Sequence, residues 1–502
     1  MKRIAGAFLI LLGVSAYAQE NESNVFHDRK YWKENPSIKD VKQKIAEGNS
    51  PTALTEYNFD AIGYAILEKA PLKTIKFLLE QGNDVNKLTH DARTYIFWAA
   101  YKGDLKLMKY LTDQGADPTI IDQHGNSLFM FAAVTGQEDK AIYEYIIELG
   151  ADVKNDRDRS GRNALIAYTG GMKTGKLLDY FIEKGLDIHA VDKNGNGAFH
   201  HAAKTGSKEL LETLVEEYMV STEKNSETNE NAIFFASTRY SASEEQTPLA
   251  FYEYLEGFGL DPAVVTSSGK TALHNISYRT NDLEIFNYFM DKGADPDQVD
   301  EEGNIALINA ASRRNMEVMQ LLVENTANIN HVNKQGYSAF TRALKYNKLE
   351  IAKMLQEKGA KTDIVDASGY DLGYHLVDSY RNTKAFTEKL DYLKSLGYDP
   401  LSKQQDGSTL LHAAVNKEKM ELIEMLVEMG IDVNAKDASG QTVLHYAAMQ
   451  ADDETMLKYL VEVGADKTVT TEFEESAYEL AQANEVLKEK QADLEFLKES
   501  LK

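Results

Sequence analysis

Apolar residues recur along this chain in short blocks with helical spacing. Leu107, Met108, Tyr110 and Leu111 fall at i, i+1, i+3 and i+4. So do Leu177, Leu178, Tyr180 and Phe181, then Ile285, Phe286, Tyr288 and Phe289, then Leu422, Ile423, Met425 and Leu426. Each block lays one apolar stripe along a helix. Before each lies a shorter segment rich in alanine, as in Ala99-Ala100, Ala132-Ala133, Ala202-Ala203 and Ala447-Ala448. The pattern predicts pairs of helices, one short and one longer, repeated many times.

The punctuation between blocks is periodic too. A glycine phase runs through Gly125, Gly161, Gly195, Gly269, Gly303, Gly336, Gly369, Gly407 and Gly440. One double interval, between Gly195 and Gly269, covers two units and leaves a degenerate one near Asn229. Two residues after the glycine a helix starts, best seen in Thr271-Ala272-Leu273-His274, Thr409-Leu410-Leu411-His412 and Thr442-Val443-Leu444-His445. Each unit closes on a signal such as Gly115-Ala116-Asp117, Gly293-Ala294-Asp295 or Gly464-Ala465-Asp466. Glycine there suits the left-handed backbone that ends a helix.

This pattern resembles the ankyrin repeat, whose signature reads T-P-L-H-x-A within about 33 residues. The resemblance covers residues 55–484 and predicts an all-α ankyrin-repeat solenoid of about 13 units. The motif's proline is replaced by Tyr95, Ala198, Ala272, Leu410 and Val443. The literal Thr247-Pro248-Leu249 is out of phase and is expected to open a second helix. The chain has 8 prolines in 502 residues, well below the ordinary ~5%. Four of them, Pro118, Pro262, Pro296 and Pro400, follow closing signals, where a fixed φ breaks no helix.

The ends read differently. Lys2 and Arg3, the apolar run Ile4–Val14 and Ala16-Tyr17-Ala18 describe a secretory signal peptide over residues 1–18. An exported protein is expected, periplasmic in preference to otherwise secreted. Residues 19–54 are expected to hold a flexible N-terminus over Gln19–Pro36, with Tyr31-Trp32 as a candidate docking pair, and a capping helix over Ser37–Gly48. The array over 55–484 carries insertions near 221–250 and 378–391, each read as a longer loop, with Ser221–Asn231 a soft point. Residues 485–502 are read as a C-terminal capping helix, with Leu487, Leu494, Leu497 and Leu501 on one side. No later apolar run is long enough to span a membrane.

Composition removes several chemistries. There is no cysteine, so disulfides, thiolate metal sites and a cysteine nucleophile are excluded. A net charge of −24 argues against nucleic acid. Gly170–Lys176 matches the glycine and lysine spacing of a phosphate loop, but Leu177 stands where a magnesium ligand belongs and no strand precedes it. The loops starting at Asp192 and Asp156 resemble the first half of a calcium loop. Ala203 and Ala167 occupy the position of the bidentate glutamate, so the aspartates read as turn residues. His200, His274, His412 and His445 share one repeat phase, too far apart to ligate one metal. No catalytic residue, cofactor or metal site is expected, and the protein is read as a monomer without enzymatic activity.

In ankyrin proteins, partners commonly contact the hairpin tips and the exposed end of the first helix, on the concave face. Here the residue pairs after the Ala-Ala phase make up 22 positions, seven basic and one acidic. The resemblance therefore implies a protein partner bound through a basic, tyrosine-dotted surface. Its expected members are Tyr101, Lys102, Lys204, Arg239, Tyr278, Arg279, Arg313, Lys345, Tyr346 and Lys417. Two other classes stay open: a ligand-binding or enzymatic role in the irregular units, and a homo-oligomer built through the C-terminal helix.

Overall fold

The computed structural model describes residues 24–223, 225, 227–239, 246–313, 315–346 and 349–498. Residues 1–18, the expected signal peptide, and residues 240–245 of the first expected insertion lie outside them. The chain divides into two units, Met1–Thr222 and Glu223–Lys502. Among the described residues the structure is helical, with one isolated bridge between Thr470 and Ser476.

Five helix pairs build the first unit and eight the second. Thirteen pairs agree with the periodicity. Each first helix is short, such as Ala272–Ile276 or Leu410–Asn416, and most of its residues are buried. Each second helix, such as Leu283–Asp291 or Met420–Glu428, buries one stripe, for example Leu422, Ile423 and Leu426. A stripe of that width matches the burial of an amphipathic helix on one neighbouring layer.

Three devices tie consecutive repeats together. The first is a ladder of hairpins. Backbone N–H groups of Glu301, Lys334 and Ala367 donate to the carbonyls of Ser268, Glu302 and Gln335 at 2.8–2.9 Å. This spacing needs glycine in the hairpin. A Cβ at Gly336 (φ +79°) would lie 2.6 Å from the Ala367 nitrogen. In the degenerate unit Asn229 itself takes the left-handed conformation, with φ 57°, and keeps the ladder going: Ser267 N–H donates to the Thr228 carbonyl at 2.8 Å.

The second device is the Thr–His box. The backbone N–H of Thr409 donates to His412 Nδ1 at 3.1 Å, and the threonine Oγ lies 2.9 Å from the same nitrogen. Because Nδ1 accepts, Nε2 carries the proton, and it donates to the Gln441 carbonyl of the next repeat at 3.3 Å. His274 and His445 repeat the arrangement onto Asn304 and Val469. A third link was not legible in the pattern. Asn434 donates to the Gly464 carbonyl at 3.0 Å and accepts from the Asp466 N–H at 2.7 Å, and Asn330 does the same with Gly359 and Lys361.

Three expectations need correction. From Asn24 onward the N-terminal segment is not loose: Phe26 and Trp32 are fully buried, and Trp32 Nε1 donates to the Phe26 carbonyl at 3.0 Å. The capping helix itself forms over Ile38–Ala46, closed by a Ser37–Asp40 capping box. The extra residues after Asp378 do not make a long loop. They lengthen the second helix to 13 residues, Thr383–Ser395, because Phe386, Leu390 and Leu393 continue its apolar stripe. The C-terminal segment is not one helix over 485–502. Helix Glu485–Glu489 ends before Gln491, which has φ 54°, and a 3-10 turn follows at Glu495–Leu497. Lys490 Nζ donates to the Asp452 carbonyl, and Asp493 N–H to Glu454, so the segment folds back onto the last regular repeat. Leu487 and Leu497 are buried there, which uses the apolar side offered for self-association.

The last hairpin has Glu474 at the glycine phase, with φ 63°. An L-residue in that region is strained by ~1–2 kcal/mol, against an entropic cost of ~0.5–1 kcal/mol for glycine. Glu474→Gly should therefore stabilise the second unit by about 0.5–1 kcal/mol, read as a higher denaturation midpoint. An unchanged or lower midpoint would refute the strain assignment.

Candidate partner-binding surface

The short first helices end where the chain turns toward the second helix, and the expected surface residues sit at those ends. In the first unit, helix Tyr95–Tyr101 leaves Tyr101 43% exposed although its preceding residues are buried. Lys102 caps that helix, with Nζ 5.4 Å from the Tyr101 ring centroid. Burial, and then the charge of Lys69, hold its ammonium below the ordinary lysine pKa. Lys204 caps helix Ala198–Ala203 in the same way and is half-buried.

In the second unit the residues fall into two stations. At the first, helix Ala272–Ile276 runs into Tyr278 and Arg279. The Tyr278 hydroxyl donates to Asn309 Oδ1 at 2.7 Å, and Arg279 Nη1 donates to the Asn275 carbonyl at 3.0 Å. Arg313, at the same place in the following repeat, is exposed. Arg239 stands one repeat earlier and is half-buried.

At the second station two lysines share one carboxylate. Lys345 and Lys417, from different repeats, both pair with Asp378, at 2.7 and 2.6 Å. Asp378 is the single acidic member of the 22 positions. The two lysine partners hold its carboxyl below the usual range against the opposing effect of burial. Tyr346 is 47% exposed beside it, and Lys345 Nζ lies 5.4 Å from the ring centroids of both Tyr337 and Tyr346. Removing the shared counter-ion would leave half-buried Lys345 uncompensated. Asp378→Asn should cost about 1–2 kcal/mol of stability, measured by chemical denaturation of the full chain. No loss would mean the triad is only a surface contact.

Some neighbours were missed. Arg342 stands one turn before Lys345 on helix Ala339–Tyr346, and its guanidinium lies 5.7 Å from Tyr337 and 5.9 Å from Tyr346. Tyr370 and Tyr374 stack with centroids 3.8 Å apart, and Tyr370 donates to Asp406 at 3.2 Å. Tyrosine directly after the phase glycine, as at Tyr337 and Tyr370, was the available signal.

A model of ankyrin repeats in three copies matches residues 62–158, 273–366 and 381–471, and a second ankyrin model matches 176–215. The chain belongs to the ankyrin-repeat family. Such repeats are typically binding domains without enzymatic activity. No curated protein matches the chain. The solved human ASB11 ankyrin repeat domain is 19% identical and aligns with a TM-score of 0.38, covering 46% of this chain and 100% of that one.

Ankyrin geometry also accounts for the motifs that imitate ligand sites. Asp192 Oδ1 accepts the N–H groups of Asn194 and Asn196, and its Oδ2 lies 2.9 Å from His201 Nε2. Asp158 likewise accepts from Arg162 N–H and Nε. These carboxylates serve their hairpins. Among the described residues no group of three or more His, Asp or Glu is arranged to hold a metal, and no helix is long and apolar enough to cross a membrane. The glycines at 170 and 171 follow helix Ala164–Thr169 with no strand before them. A cavity of about 370 Å³ does border the second irregular repeat, lined in part by Lys345, Tyr380, Phe386 and Lys389. Its lysines are engaged: Lys345 by Asp378, and Lys389 by the Leu344 carbonyl.

Proposed function

We propose that this protein is an exported interaction scaffold that holds a protein partner on the first-helix ends and hairpins of its ankyrin repeats. The observation that carries the reading is the excess of basic and tyrosine residues at those ends, on a chain whose net charge is −24. Tyrosine and arginine dominate binding hot spots, and local positive charge steers an acidic partner. Tyr101 and Tyr346 stay substantially exposed at these ends despite their size. Export rests on the residue pattern of 1–18 alone, and the periplasm is the compartment that suits a chain without cysteine.

The test uses the full chain as bait, with crosslinking, in extracts of the source cell's exported fraction. A partner captured by the native chain should be lost when Lys102, Lys204, Arg279 and Arg313 are replaced together by glutamate. If the same partner is captured undiminished, the first-helix surface is not where it binds. Recovery of the protein with its first 18 residues intact in the cytosol would refute the exported assignment.

A further inference from the structure

The two stations of the second unit differ in one respect. At Lys345 and Lys417 the protein supplies its own carboxylate, Asp378. At Arg279 and Arg313, which occupy the same first-helix phase, neither arginine makes an ion pair with any of the described residues. Arg279 Nε is buried and makes no hydrogen bond, while Nη1 is taken by the Asn275 carbonyl. Burial, then the adjacent charge of Arg313, push its guanidinium below its ordinary pKa. A buried donor without an acceptor is costly, and more so when charged.

Beside these guanidinium groups lies a cavity of about 280 Å³, lined by Tyr278, Arg279, Thr280, Arg313 and Asn315 among others. Asn315 gives its side-chain carbonyl to the Val318 N–H, which leaves its amide NH2 as a donor. Tyr278 is fixed by Asn309. Among the described residues, the acid whose charge acts on Tyr278 is Asp300, and Asp300 Oδ1 already accepts the N–H groups of Glu302 and Asn304. Arg342 adds a third positive charge near Tyr278, and its Nε is also buried without a partner.

We infer that this cavity seats the carboxylate of an aspartate or glutamate on a partner's acidic segment, in the place that Asp378 fills at the neighbouring station. The inference rests on the scaffold reading and names the chemistry of the partner. The planar fork of a guanidinium matches a carboxylate with two parallel hydrogen bonds. A long polyanion such as nucleic acid would meet the repulsion of the remaining acidic surface, whereas a short acidic peptide meets only the local field.

Fluorescence anisotropy of the full chain with a labelled peptide, Gly-Glu-Gly-Glu-Gly-Glu-Gly, tests this at physiological ionic strength. The peptide should bind about tenfold tighter than its glutamine counterpart, and Arg279→Gln or Arg313→Gln should each weaken it about tenfold. Lys353→Gln should change the affinity less than about twofold, because Lys353 is exposed on a second helix, Leu349–Glu357, and not at a first-helix end. Arg313 is exposed, so its variant folds and remains informative. Equal binding of the glutamate and glutamine peptides, or full affinity in Arg313→Gln, overturns the proposal. A phosphoserine peptide binding well above the glutamate peptide overturns the carboxylate assignment. The scaffold reading fails separately: a captured partner would then crosslink away from every first-helix end, whatever the peptide does.

Discussion

Replacing Gly336 with alanine is expected to lower the stability of the second unit by about 3 kcal/mol. Two costs combine. The residue sits at φ +79°, where an L-side chain is strained by ~1–2 kcal/mol. The new Cβ would also stand 2.6–2.8 Å from the backbone atoms of Asp366 and Ala367, not against the end of a flexible side chain. Backbone must therefore move, at a cost of ~1–3 kcal/mol for overpacking, and the Ala367-to-Gln335 hydrogen bond between hairpins stretches. Gly359 is the control. It has φ +96° and nothing within 4 Å of a built Cβ, so Gly359→Ala carries only the conformational cost of about 1–2 kcal/mol. Urea denaturation of both variants decides it. Equal losses would show that the hairpins do not need their close approach.

Acid should destabilise the protein through the Thr–His boxes before its carboxylates titrate. His274, His412 and His445 all have pKa values below the ordinary 6.5, with burial the largest cause. In the folded chain each is neutral, because Nδ1 faces a backbone N–H and can only accept. The unfolded chain therefore binds more protons than the folded one between the two pKa values. Stability is fully present above 6.5 and is lost as pH falls from 6.5 through the depressed folded values. The slope reaches about 1.4 kcal/mol per pH unit for each histidine in that window. Thermal midpoints should hold steady above pH 6.5 and fall below it. His412→Ala should cost about 3 kcal/mol at neutral pH, since it leaves the Thr409 N–H and the Gln441 carbonyl without their partner and opens a void. It should also flatten the acid slope. A midpoint insensitive to pH across that window would contradict the assigned tautomer and its role.

The repeat was legible in the sequence because its punctuation restricts residue type. Only glycine sits easily in the hairpin at Gly303 or Gly336, and a short acceptor-bearing pair such as Thr271 and His274 closes the cap in the clearest repeats. Even the degenerate unit obeyed the rule, since Asn229 is the side chain that best tolerates φ 57°. What was not legible depends on contacts between repeats. Counting seven bases against one acid treats each position alone, and so hides that Asp378 pairs with both Lys345 and Lys417. The second insertion was read as a loop from its length, although Phe386, Leu390 and Leu393 carry a helical period through it. The C-terminal leucines do fit a helix, but the turn at Gln491 and the docking of Lys490 on Asp452 win. Tyr31-Trp32 was legible as a docking pair, but no pattern around Phe26 showed that it packs with Trp32.

The central claim is that the first-helix ends hold the partner. Hydrogen exchange of the full chain, alone and with a partner captured from the exported fraction, tests it most directly. Protection should appear at the ends of the first helices, around Tyr101–Lys102, Tyr278–Arg279 and Lys345–Tyr346, and leave second helices such as Leu283–Asp291 and Met420–Glu428 unchanged. Protection confined to those second helices, or to residues 485–498, would contradict the account.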